Sequence, residues 1–415
     1  MKYLEHRLDN GLTVVAEVNP SAYTMGVGYF VRTGSRDESP EVSGVSHFLE
    51  HMCFKGSERR SAADVNRELD ELGSQGNAET SEEHTAYHMA VLPEFQRRAV
   101  DLLSDIMRPS LRADDFHTEK KVILEEIAKS EDEPPFGAFE KSLAHFYGDH
   151  PLGRPVLGTV DSITAMDPEQ MRGYFERQYS PGNMALVAAG KVDFDDLVRQ
   201  AEEICGDWAP FEVARDTATP PVHHGIHCHA KAETSQQYVL WLIPAPGAED
   251  DARYVNKIAD MIIGGDSGSR MFWELVDTGR AEYAALFAHE FLGSGITFGY
   301  LCCAPEDAQE NLDAMAKIMA EATDDGVDAE ELSRVQNKAS AGLVLASERP
   351  HRRMFDVGYQ WIHGLQFRTV REEVDQYLGI DIEQVNRHLA QYPLRGGMVV
   401  SMGPNVDLRP PGATR

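Results

Sequence analysis

His47, Glu50 and His51 stand in the run Gly44-Val45-Ser46-His47-Phe48-Leu49-Glu50-His51-Met52. On a helix, residues four apart lie one above the other on the same face. Two imidazoles so placed can grip one metal ion, and Zn2+ is the ion that two histidines plus a carboxylate most often imply. Glu50 points near that ion without having to bind it, which is where a general base for a metal-activated water belongs. Phe48, Leu49 and Met52 are apolar, so the helix is expected to pack, and packing holds ligands still. Ser43 and Ser46 lie at its start, where hydroxyls cap free N–H groups. The competing reading is a surface helix with two solvated histidines.

The order H-x-x-E-H reverses the H-E-x-x-H arrangement of zinc proteases. A catalytic zinc site needs a third protein ligand and leaves its fourth position to water. Acidic candidates lie on Glu119-Lys120-Lys121-Val122-Ile123-Leu124-Glu125-Glu126-Ile127-Ala128, a run of helix formers without Gly or Pro. Glu119 and Glu126 share a face, and Glu125 is about 100° around the axis from Glu126. One of these carboxylates is a candidate ligand and another a candidate to orient a histidine N–H. The alternative is a charged, solvated helix face.

His47-Phe48-Leu49-Glu50-His51, with Glu126 downstream, resembles the inverted-zincin metallopeptidases, the family of pitrilysin, insulin-degrading enzyme and mitochondrial processing peptidase. The resemblance covers nearly the whole chain. His150-Pro151-Leu152-Gly153-Arg154-Pro155-Val156-Leu157-Gly158 and Tyr179-Ser180-Pro181-Gly182-Asn183-Met184 resemble its bacterial short-chain branch. It implies one Zn2+ per chain on His47, His51 and Glu126, with Glu50 as base and Glu119 as supporting carboxylate. Gly76-Asn77-Ala78-Glu79-Thr80 resembles the family's substrate-edge strand, which implies peptide contacts at Asn77 and Ala78. Catalytic members also bring an Arg and a Tyr, seven residues apart, to the substrate from their second half. Tyr283 matches the Tyr and implies a donor to an oxyanion. The Arg position falls on Val276, with Arg270 and Arg280 close by. Short-chain members imply pairing, either a homodimer or a heterodimer with a related chain, in which the second half forms a chamber wall.

Lys+Arg 39 against Asp+Glu 68 gives a net charge of −29, the wrong sign for a phosphate-binding surface, so nucleic acid is not expected as a partner. No run of 18 apolar residues appears, so a membrane span is not expected, and the N-terminus lacks a signal core, which reads as cytoplasmic. The five Cys (53, 205, 228, 302 and 303) have no regular spacing and read as reduced and mostly buried. His223, His224, His227 and His229 form the densest histidine cluster, read as surface residues at a linker.

The elements that must position these residues alternate between sheet and helix. Leu8 to Ala16 reads as a hairpin around Asn10-Gly11, and Met25 to Val31 as a strand. Ala62 to Leu72 reads as a helix, Glu79 to Leu92 as one strand, and Phe95 to Met107 and Asp115 to Ser130 as helices. Pro134-Pro135-Phe136-Gly137 reads as a break. Asp167 to Arg177 and Phe194 to Cys205 are helical, flanking a strand at Ala185 to Ala189. Thr217-Ala218-Thr219-Pro220-Pro221 reads as a domain boundary, between a zinc-binding catalytic domain 1–216 and a similar domain 217–415. Beyond it come strands at 236–243, 281–289 and 295–303 and helices at 250–263, 270–276, 306–321, 328–346 and 350–364. The last strand, Met398 to Gly403, echoes Met184 to Gly190. The expected fold is α+β, a duplicated unit of two α/β-sandwich halves, each a mostly antiparallel sheet covered by helices.

These features add up to a zinc-dependent endopeptidase acting on peptides or unfolded segments. The rival reading is a non-catalytic or partner-dependent subunit of a heterodimeric processing peptidase, which the Val276 departure supports. A protein with a purely structural zinc is a weaker rival, because structural sites are closed and usually Cys-rich.

Overall fold

A computed structural model describes residues 1–74 and 76–411, without the side chains of 132 and 134–136. In chain order it contains β1 (Lys2–Arg7), β2 (Thr13–Val18), β3 (Met25–Val31), α1 (Val45–Cys53), α2 (Ala62–Glu71), β4 (Asn77–Thr80), β5 (Thr85–Val91), α3 (Gln96–Ile106) and α4 (Ala113–Asp132). There follow α5 (Pro134–Tyr147), α6 (Val160–Ala165), α7 (Pro168–Gln178), β6 (Met184–Gly190) and α8 (Phe194–Cys205). The remainder is β7 (Gly225–Ala230), β8 (Gln237–Ala245), α9 (Ala252–Gly264), β9 (Tyr283–Phe291), β10 (Ser294–Cys303), α10 (Ala308–Asp325), α11 (Ala329–Ser347), α12 (Pro350–Ile362), α13 (Val370–Leu378), α14 (Ile382–Gln391) and β11 (Met398–Gly403).

The chain divides into two compact units. Unit 1 comprises Met1–Ala128, Arg154–Asp216 and Leu345–Thr369; unit 2 comprises Lys129–Gly153, Thr217–Val344 and Val370–Arg415. The sheet of unit 1 runs β1-β2-β6-β3-β5-β4, and that of unit 2 runs β7-β11-β8-β10-β9. Without β1 the two orders correspond strand for strand. Each has one parallel pair, β2 with β6 and β7 with β11, and is otherwise antiparallel.

In unit 1 every residue of β3 and β6 is buried, because both faces of the sheet are covered. Val27, Tyr29 and Val31 face the main core, with Val45, Phe48 and Val100. Phe30, Val15 and Val187 face the other way, onto Met354 and Val357 of α12. A Cβ on Gly26 would come within 2.8 Å of the His351 backbone, so glycine is what lets α12 lie this close to β3. Arg353 of α12 forks onto Glu17 of β2 at 3.0 and 2.7 Å, and both side chains are buried. Leaving either alone would strand a buried charge, so the pair fixes where α12 docks.

α5 plays the same part in unit 2. Its Ala138, Leu143 and Phe146 pack with Leu240, Leu242 and Val400 of the sheet. Each unit is therefore capped by a helix whose sequence lies beside the other unit's segments.

Three local readings change. The helical pattern does break before Pro134, with α4 ending at Asp132, but Pro134 at once opens a new helix of 14 residues, since proline at the first helical positions lacks only an N–H that would be unpaired anyway. Residues 79–92 form a hairpin and not a single strand. β4 and β5 pair through a turn at 81–84, where the Ser81 Oγ accepts from the N–H groups of Glu83 and His84. The 270–276 segment contains a π-helical turn, Phe272–Val276. The helices α6, α13 and α14 are not among the elements expected from the sequence.

Candidate metal centre

α1 begins where it does because of Gly44 and Glu38. Gly44 has φ 89°, and a Cβ there would meet the Leu157 carbonyl oxygen at 2.6 Å, so only glycine fits. Glu38 folds back over the helix start. Its carboxylate accepts the N–H groups of Gly44 and Ser46, each at 2.7 Å. That satisfies donors with no intrahelical partner and sets negative charge at the positive end of the dipole. Burial pushes Glu38 up to about 7, against those two bonds. The expected serine caps are absent. The Ser46 hydroxyl pairs with the Tyr174 hydroxyl at 2.7 Å, and the buried Ser43 Oγ has no partner among the described residues. A glutamate six residues before the N-cap Gly44 carries no capping pattern in the sequence.

Phe48 stacks on Phe116 of α4, with ring centroids 4.6 Å apart. This contact brings the acidic face of α4 to the histidines. His47 Nε2 lies 3.8 Å and His51 Nε2 3.7 Å from Glu126 Oε2. The three offer ligand atoms all within 4.8 Å of one another, the one such group among the described residues. Glu125 is exposed and outside the group.

The donor set fits a metal ion. Ligand atoms on a tetrahedral ion with bonds of about 2.0–2.1 Å lie roughly 3.3 Å apart. The two separations to Glu126 are a few tenths longer, too long for hydrogen bonds, and all three ligand atoms stay within 4.8 Å, so the donors face a gap they do not close themselves. His51 Nδ1 is held by Glu119 Oε1 at 2.8 Å, which turns Nε2 toward the gap. Burial, with His51 beside it, lowers His47 to about 3. Its imidazole is neutral at physiological pH, the form a metal requires.

Two neighbours went unnoticed in the sequence. Burial would raise the Glu119 carboxyl, but Lys55, with Nζ at 2.5 Å from Oε2, and His51 hold it below its ordinary value. Thr80 Oγ1 donates to Glu50 Oε2 at 2.6 Å. Burial pushes the Glu50 carboxyl upward, the Thr80 bond and His51 oppose it, and Glu126 and Glu79 add to it. Lys55 and Thr80 lie close in sequence to motif residues, but nothing in their spacing marks a contact.

β4 is the edge strand of its sheet and packs beside α1. Asn77 is exposed and Ala78 buried there, paired inward with His88 and Tyr87 of β5. The outer edge of β4 offers backbone groups for strand addition. Tyr283 belongs to unit 2, half-exposed at the first residue of edge strand β9. Val276 ends the π-helical turn. Neither nearby arginine is free. Arg270 forks onto Glu331 at 2.7 and 2.8 Å, and Arg280 pairs with Glu310 at 3.0 Å.

A two-unit α+β chain with an inverted histidine motif and a distant carboxylate on one unit has the layout of a metallopeptidase, and comparison with known proteins gives its family. Residues 13–160 match the model of insulinase (peptidase family M16), and residues 165–339 match that of the peptidase M16 inactive domain. The chain belongs to this family. It is 32% identical over 387 residues to an uncharacterized zinc protease of Mycobacterium leprae, covering 91% of this chain and 86% of that protein. The zinc protease YmxG of Bacillus subtilis is 28% identical over 382 residues, 91% of this chain and 92% of the relative. Among solved structures, a protease from Helicobacter pylori is similar in fold, with TM-score 0.90 and 19% identity over 97% of this chain and 99% of that one. So is a chain of complex III2 from Candida albicans, with TM-score 0.85 and 17% identity over 97% and 96%. Among the described residues no helix is long and apolar enough to cross a membrane.

Proposed function

We propose that this protein is a zinc-dependent endopeptidase that hydrolyses peptides or unfolded segments. The supporting observation is the convergence of His47, His51 and Glu126 on one gap, with Glu50 on the same short helix. His47, His51 and Glu126 would hold one Zn2+ per chain, and Glu119 would keep His51 turned toward it. Bound zinc supplies Lewis acidity, lowering the pKa of water toward neutrality and polarising a carbonyl. An extended peptide adds to the free edge of β4 at Asn77 and Ala78, which positions its backbone. Glu50 takes a proton from the attacking water, and the new C–O bond forms as that proton leaves. Glu50 then gives the proton to the departing amine as the C–N bond breaks. Thr80 steers one Glu50 oxygen, leaving the other for this transfer. Tyr283 is the donor assigned to the oxyanion.

Replacing Glu50 with Gln tests the core of the reading. Peptide cleavage is expected to fall by about 10²–10⁴-fold or more while metal content stays that of the wild type. Turnover retained by E50Q would remove Glu50 from the role.

A second reading rests on Val276 and on the engagement of Arg270 and Arg280 with glutamates. In it the chain depends on a related partner for substrate contacts, as a heterodimer. A purified chain that binds zinc, cleaves nothing alone and gains activity when a related chain is added would favour this reading over an autonomous homodimer.

A further inference from the structure

Unit 2 holds a second group of imidazoles. β7 is an edge strand, and its alternation puts His227 and His229 on one face. The last turn of α5 brings His145 to them. His145 Nε2 lies 3.2 Å from His229 Nε2. The His145 and His227 rings are stacked, with centroids 3.8 Å and planes 8° apart. Within the sequence cluster at 223–229, His227 and His229 are thus strand residues met by a helix residue far away in the chain, whereas His223 and His224 precede the strand and are exposed, as the linker reading expects.

A neutral N–H···N bond accounts for the His145–His229 distance. So does a shared ion, since two nitrogens bound at about 2.0–2.1 Å to a tetrahedral centre lie roughly 3.3 Å apart. Burial holds both rings below their ordinary value, so both are neutral and have lone pairs at physiological pH. Lys141 is the nearby cation that opposes a metal here, adding to the depression of His229. Its ammonium lies back along α5 beside Gly137. His227 is exposed; as the rings stand it does not converge with the other two, and binding would require its ring to turn out of the stack. Imidazoles without carboxylates suit zinc, copper or nickel and do not suit magnesium or calcium.

We propose that His145 and His229, with His227 as third ligand, form a second metal site for a divalent transition ion. It clamps the last turn of α5 to the edge strand β7. The site shares no residue with the His47 set, so it stands or falls independently of the peptidase reading.

The test uses the full-length, metal-stripped chain carrying H47A and H51A, which removes the first set. Calorimetric titration with Zn2+, and separately Ni2+, is expected to show one remaining equivalent with Kd on the order of micromolar. Adding His229→Gln, which keeps a polar strand residue, is expected to abolish it, and His145→Ala likewise. His227→Ala is expected to weaken binding by about tenfold. Zn2+ should raise the melting temperature of the H47A/H51A chain and leave that of its H229Q derivative unchanged. Absence of a second equivalent, an equivalent that survives H229Q, or equal binding of Mg2+ would each overturn the proposal.

Discussion

Units 1 and 2 share a strand order but treat the helix after the third shared strand differently. In unit 1, β3 leads through the long loop 32–44 to the nine-residue α1, whose imidazoles look onto a gap beside an edge strand. In unit 2, β8 leads by a short connection to the 13-residue α9. α9 also carries polar groups four apart, Asn256 and Asp260, but they are sealed. The Asp260 carboxylate accepts from Thr297 at 3.0 Å and from Asn256 at 2.9 Å, and Asn256 meets His388 at 2.9 Å. Burial pushes Asp260 up to about 8. The same topology thus carries ionisable groups on both helices. One set is positioned by an acidic cap and left open, and the other is closed into a neutral network that can only affect stability.

This contrast can be broken most sharply at the ligand carboxylate. Glu126→Gln is expected to empty the metal centre and abolish activity, while Glu125→Gln leaves both intact; metal analysis of the purified variants checks this. The reverse outcome would mean that the α4 face assignment is wrong. Next comes the support. Glu119→Gln should weaken zinc affinity by about 10–100-fold, with cleavage restored at saturating zinc, as competition with a chelator would measure. Unaltered affinity would reduce the Lys55–Glu119–His51 chain to packing.

The smallest effect lies in unit 2. The Asp260 carboxyl moves from an ordinary 3.8 to about 8 on folding. Below the lower value both states are protonated and Asp260 contributes nothing. As pH rises toward 8 the unfolded chain releases the proton and the folded chain keeps it, so stability falls; above 8 the full cost is present. Asp260→Asn should therefore stabilise the protein at neutral pH by an amount on the order of 1–3 kcal/mol and flatten the pH dependence. Metal content should be unaffected. Denaturant unfolding at pH 4.5 and 8 checks it, and an equal effect at both pH values would refute the titration argument.

The local pattern was legible wherever one stretch of chain decides the outcome. The spacing of His47, Glu50 and His51 implies a shared helix face, and helical period is a local property. The echo of Met184 to Gly190 in Met398 to Gly403 is met by the two corresponding sheets. Asn10-Gly11 turns the first hairpin, with Gly11 at φ 91°.

What the tertiary structure decided is everything that joins distant segments. Glu126 rather than Glu125 faces the histidines because Phe48 and Phe116 stack, a contact no one-dimensional pattern contains. Glu38, Lys55 and Thr80 take their parts through hydrogen bonds and ion pairs whose partners depend on how loops and helices pack. α5 and α12 each complete the sheet of a unit built mainly from the other half of the chain, and His145 meets His229 for the same reason. Side-chain type and local spacing limit which chemistry is available, whereas packing selects the atoms that meet, because burial and contact depend on the whole fold and not on neighbours in sequence.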